Sequence, residues 1–113
     1  MKITTKLEVR RESREQQLKM LQSYVAQARD WLWEAVTYTR ERQEEEIILE
    51  EGLTMSLEEG ELFLVRLMLA MRTNSLLLAK WELRNIPAKL ILLEKSVFRD
   101  LREAWNNTRW ICG

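Results

Sequence analysis

The sequence predicts an all-α domain, on three observations. Helix breakers are rare, with one Pro and three Gly in 113 residues. Leu, Glu, Arg, Ala and Met dominate the composition, and these residues favour helix over strand. Apolar residues make up 46 % of the chain and recur at helical spacing, enough for the core of one domain of common size. The expected architecture is three main helices: an extended N-terminal coiled-coil-like helix and an antiparallel helical C-terminal part.

Residues 1–16, MKITTKLEVRRESREQ, have Ile3, Leu7 and Val9 but no sustained stripe, and are expected to be frayed or disordered. A single helical domain is expected over 17–113. From Leu18 the pattern sharpens. Leu18, Leu21, Val25, Ala28, Leu32, Ala35 and Thr39 follow 3-4 spacing, which is a heptad seam. Tyr24, Trp31 and Tyr38 recur every seven residues beside it and widen the apolar face. Leu18, Leu21, Val25, Ala28, Trp31, Leu32 and Ala35 are therefore expected to form a homodimer seam. A helix from about Lys6 to Gln43 would span roughly 57 Å, against a radius of gyration of about 13 Å for a compact domain. It must protrude, break or lie along a partner.

Within RDWLW, residues 29–33, Trp31 and Trp33 point about 200° apart on a helix, so one core cannot take both. Trp31 falls beside the seam and Trp33 on the far side. Tryptophan is mostly buried and is enriched at binding hot spots, so Trp33 is assigned to partner contact. A partner subunit, another protein, or a helix that departs from the seam would each account for it.

RERQEEE, residues 40–46, is expected to continue the first helix as a solvated face. IILEEGLTM, residues 47–55, is the first break, with Gly52 suited to end a helix in the left-handed conformation. Ser56 to Glu59 reads as a capping box for a second helix. That helix, LEEGELFLVRLMLAMRT, is apolar nearly all round, as the buried centre of a bundle would be. Asn74-Ser75 can kink or interrupt it before Leu76–Leu78, Trp81 and Leu83. Pro87 restricts Ile86 and fits the first turn of a third helix, about Ala88 to Thr108. Its face is Leu90, Ile91, Val97, Phe98, Leu101 and Trp105. Trp31, Trp81 and Trp105 are assigned to packing. Trp110, about 140° from Trp105 at 100° per residue, is assigned with Trp33 to partner contact.

Net charge is zero, but residues 41–61 carry nine Glu against Arg42, while residues 62–113 carry nine Lys or Arg against four acids. This suits pairing within or between chains better than nucleic acid, which selects a net basic domain. The third helix, with Trp105 and Trp110 able to stack on bases, is the one counter-signal. There is no His, and the one Cys, Cys112, cannot form an internal disulfide, which points to a reducing compartment. Zinc sites of Cys and His, and Ser-His-Asp or Cys-His catalysis, are excluded within one chain. No glycine-rich phosphate loop is present. The glutamates of 41–61 are read as a solvated face rather than a cation site. No enzyme activity, cofactor or metal is expected. The apolar run from Leu62 to Met71 spans ten residues and contains Arg66, where a membrane span needs about 20. Residues 1–16 lack the apolar segment of a signal peptide.

Three stretches carry a resemblance: ARDWLWEAVTYT at 28–39, MRTNSLLLAKWELRNI at 71–86, and LREAW at 101–105. Together they resemble the C-terminal half of paramyxovirus C proteins, morbillivirus members in particular, over about 28–110. This chain begins close to the matching region, where family members carry a longer basic segment, and it adds the acidic EEEIILEEG. The resemblance implies a non-enzymatic viral accessory protein, made from a frame overlapping the phosphoprotein gene. Such a protein binds host innate-immunity proteins and viral polymerase components, antagonises interferon responses and modulates viral RNA synthesis. It implies a location in the host cell cytoplasm, or in the nucleus. The alternative is a structural coiled-coil or helical adaptor, a subunit of a larger assembly with no viral role.

Overall fold

The computed structural model describes the backbone of residues 3–108 and the side chains of residues 13–108. Its elements are α1 (Ile3–Glu41), β1 (Glu46–Glu50), β2 (Leu53–Ser56), α2 (Leu57–Arg72), α3 (Leu76–Glu82), α4 (Ala88–Ile91) and α5 (Val97–Thr108). Among the described residues the chain is mostly helical, as expected, but with five helices and a hairpin rather than three helices.

The 39 residues of α1 span about 58 Å at the α-helical rise. The molecule measures 63 × 24 × 18 Å, so this helix sets its length. The radius of gyration, 16.4 Å, exceeds the roughly 13 Å of a compact chain of this size. Of the three options open to a long first helix, a break is the one it does not take, since it runs unbroken from Ile3 to Glu41. The helix begins at Ile3, so most of the segment set apart at 1–16 enters the same element.

α1 does not continue through RERQEEE; it stops at Glu41. Gln43 takes a left-handed φ of 55°. Its N–H donates to the Arg40 carbonyl, and the Glu44 N–H donates to that of Thr39, 3.1 Å away. Extending the helix would have stacked Glu44, Glu45 and Glu46 at its negative end. The next residues instead alternate about a strand. Ile47 and Leu49 are buried while Ile48 is exposed.

The break at 47–55 is therefore an antiparallel hairpin, with Ile47 opposite Met55 and Glu50 opposite Leu53. Gly52 does adopt the left-handed region, at φ 79°, but in the hairpin turn and not as a helix stop. A bulge lies between Ile48 and Glu50.

Ser56 caps α2 as expected, its Oγ accepting from the Glu59 N–H at 3.1 Å. α2 runs antiparallel to α1. Near one end Arg40 pairs with Glu61 at 3.1 Å. Near the other the Gln22 amide donates to the carbonyls of Met71 and Thr73, at 3.1 and 2.7 Å. Gly60 marks the closest approach of α2 to the hairpin. A Cβ there would overlap Ile47 Cδ1 and lie 3.5 Å from Val36 Cγ2. Gly60→Val is expected to lower stability by about 1–3 kcal/mol through overpacking. Gly60→Ala should cost less, because roughly 1 kcal/mol of helix propensity offsets the strain. Urea unfolding midpoints check both, and an unmoved midpoint for the Val variant refutes the close approach.

Thr73 to Ser75 interrupts the chain before α3, where Ser75 is the N-cap. The expected single third helix is divided into α4 and α5. The Ser96 hydroxyl donates to the Leu90 carbonyl and accepts from the Arg99 N–H, which starts α5. The Arg99 guanidinium donates to the carbonyls of Ile91 and Leu93, at 3.1 and 2.6 Å. It thereby satisfies groups that the end of α4 leaves unpaired. Glu50 of β1 accepts from the Glu94 N–H at 2.6 Å and ties the hairpin to this break.

One core joins these elements: Leu21, Val25, Leu32 and Val36 of α1, Ile47 and Met55 of the hairpin, Phe63 and Leu67 of α2, and Phe98 and Leu101 of α5. Trp31 meets Phe98 edge to face, with ring centroids 5.6 Å apart.

Candidate functional site

The expected dimer seam is occupied by the chain itself. Leu21, Val25, Ala28 and Leu32 are fully buried, and Leu18, Trp31 and Ala35 are partly buried against the same core. The heptad spacing describes a real apolar stripe, but α2 and α5 cover it. A second copy could not take that face without displacing them. The stripe through Leu18–Thr39 thus packs within the chain, and nothing in it is left over to form a seam with a second copy.

Trp33 is half-exposed, as expected from its place opposite the seam. Arg29 and Arg40 lie four residues before it and seven after, so all three share one edge of α1. That edge borders α2, because Arg29 reaches Met71 and Arg40 reaches Glu61. Trp110, the other residue assigned to partner contact, lies outside the described residues, as does Cys112.

The main apolar surface lies elsewhere, on α2 and α3. α2 is not a bundle centre. Phe63, Leu64, Leu67 and Ala70 face inward, while Leu62, Val65 and Leu69 are each about half-exposed or more. These three recur at i, i+3 and i+7, so they form one outward stripe. Trp81, assigned to packing from the sequence, is 58 % exposed and faces this stripe across a groove. Leu62, Val65, Arg66, Leu69, Trp81 and Arg84 line it, and it encloses about 300 Å³. The Arg84 guanidinium stacks on the Trp81 ring, 3.7 Å from its centroid. α3 keeps Leu76, Ala79 and Lys80 inside and leaves Leu77, Leu78 and Trp81 outside. The signal for this surface was the all-round apolar α2 itself, whose outward stripe no described element covers.

Trp105 packs as expected. Its Nε1 donates to the Lys80 carbonyl at 3.0 Å, and the Lys80 ammonium lies 5.2 Å from the ring centroid. This indole is engaged and is not presented for base stacking. Near the α1–β1 turn, Arg42 sits 5.3 Å from the Tyr38 centroid and 2.8 Å from Glu44. The Glu44 hydrogen bond, then the Tyr38 charge, raises the Arg42 pKa further above its ordinary value. Among the described residues the glutamates of 41–61 gather into no metal-holding group, and no helix is long and apolar enough to cross a membrane.

Among the described residues the fold is a mainly helical domain with one β-hairpin, and between α2 and α3 it carries an apolar groove with arginines on its rim. Comparison with known proteins finds no matching family model, no matching curated protein and no matching solved structure.

Proposed function

We propose that this chain is a non-enzymatic interaction protein of the kind its resemblance to paramyxovirus C proteins implies. It would engage host innate-immunity proteins and viral polymerase components, antagonise interferon responses and modulate viral RNA synthesis. The observation that carries the binding role is the groove: Leu62, Val65, Leu69 and Trp81 stay exposed although the chain closes its own core. Neighbouring exposed apolar side chains rimmed by charge are a recurring feature of protein-binding sites. Trp81 belongs to the longest resembling stretch, residues 71–86.

The test is an interferon-promoter reporter beside a viral minireplicon, each with the wild-type chain and with Leu69→Asp or Trp81→Ala. Wild type should suppress both readouts. The variants change exposed side chains, so they should fold and lose roughly tenfold in potency, as hot-spot truncations do. Equal potency, or no suppression by wild type, rejects the proposal. A coding region with no overlapping long frame would leave the alternative, a helical adaptor without a viral role.

A further inference from the structure

The groove between α2 and α3 has a charge character as well as an apolar one. Arg66 lines it, Arg84 stacks on its Trp81 wall, and Arg72 follows Leu69 by three residues on the same face of α2. Among the described residues, none of these three guanidiniums has a carboxylate within ion-pair distance. Glu82 is the one acid of the lining. The chain as a whole is neutral, so this is a local excess of unpaired positive charge beside exposed Leu, Val and Trp. Apart from Glu82, no acid lines the groove among the described residues, and many of the others stand at the start of α2 and around the hairpin.

We infer that the groove receives an acidic amphipathic helix of a partner protein, its apolar face on Leu62, Val65, Leu69 and Trp81 and its carboxylates on Arg66, Arg72 and Arg84. Helix-in-groove docking reads apolar anchors at i, i+3 or i+4, and i+7, and the α2 stripe offers matching apolar rows. Arginine pairs with carboxylates through a planar fork of donors, which suits a rim that must orient a peptide. Two other occupants fit less well. A second copy related by a twofold axis would bring the same arginines towards each other. A flat membrane surface would leave the concave Trp81 wall unfilled. This inference rests on the proposed binding role and names the chemistry of the partner.

The test selects from a display library of random helical peptides of about 15 residues, long enough to hold a helix. The intact chain is the bait, and the Leu62→Asp variant serves for counter-selection. Enriched peptides should be net acidic with helical apolar spacing. Their affinity should fall roughly tenfold for the Arg66→Glu/Arg84→Glu double variant and fall with added salt, as rim charge predicts. Circular dichroism of both variants should match wild type, since the altered residues are exposed. Neutral or basic enriched peptides overturn the inference, as does an empty selection. So does a doubled mass in light scattering that the double variant abolishes, or binding to phosphatidylserine vesicles that Trp81→Ala abolishes. If groove variants lose reporter suppression while the selection yields no acidic helix, the binding role stands and the partner chemistry fails.

Discussion

Leu32→Asp is expected to unfold the protein. Leu32 is fully buried in the α1 face that α2 and α5 cover. Removing such a leucine costs about 2–5 kcal/mol. Putting a carboxyl in its place adds several more, because it would be buried in an apolar cluster. The sum is comparable to the roughly 5–15 kcal/mol that holds an average domain together. Burial would raise the new carboxyl's pKa in the folded state. The penalty is therefore smallest below about pH 4, where the unfolded chain is also protonated, and it grows as pH rises. Thermal melts by circular dichroism across that range check both size and sign. The same substitution separates the two readings of the heptad stripe. A dimer seam predicts a folded monomer after Leu32→Asp, whereas a seam closed within one chain predicts lost helix. A variant that keeps wild-type ellipticity and halves in mass would overturn the fold described above.

Phe98→Ala should lower stability by about 3–5 kcal/mol, the range for deleting a buried aromatic side chain. Phe98 is fully buried. It sits edge to face with Trp31 at an interplanar angle of 84°, and its ring centroid lies 6.0 Å from that of Phe63. It is thus the point where α1, α2 and α5 meet, and contacts of this kind add about 0.5–1.5 kcal/mol each beyond area burial. The near-ultraviolet signal of Trp31 should weaken with the loss of its asymmetric neighbour. Phe98→Leu keeps much of the volume and should cost less. A Phe98→Ala variant with an unchanged urea midpoint would place α5 somewhere other than against α1.

Local signals in the chain were read correctly where the physics is local. The 3-4 spacing from Leu18 marks the inward face of α1, and Trp31 and Trp33 divide about it as their angular separation requires. Ser56 caps α2 because its hydroxyl reaches an N–H three residues on. Asn74-Ser75 interrupts the helices as short polar residues do, and Pro87 stands at the start of α4. The division of α4 from α5 was not legible. Leu92 to Ser96 carries no Gly or Pro, and the break exists because Arg99, Ser96 and Glu50 satisfy the backbone there.

The candidate groove was not legible, although the outward position of Trp33 on α1 followed from its angle alone. Trp81 was misassigned, because an apolar residue at helical spacing is by default core, and nothing in residues 71–86 says that the covering element is missing.

By itself the sequence determined a mainly helical chain, the inward stripe of α1, the Ser56 cap that starts α2, and the absence of histidine or paired cysteine chemistry. Only the tertiary structure decided that residues 46–56 pair as a hairpin, that α2 and α5 fill the stripe expected for a second copy, and that Leu62, Val65, Leu69 and Trp81 remain outside. The reason is physical. Periodicity and capping depend on neighbours within a few residues, whereas which face stays uncovered depends on how many elements can reach it. That number follows from the packing of the whole chain.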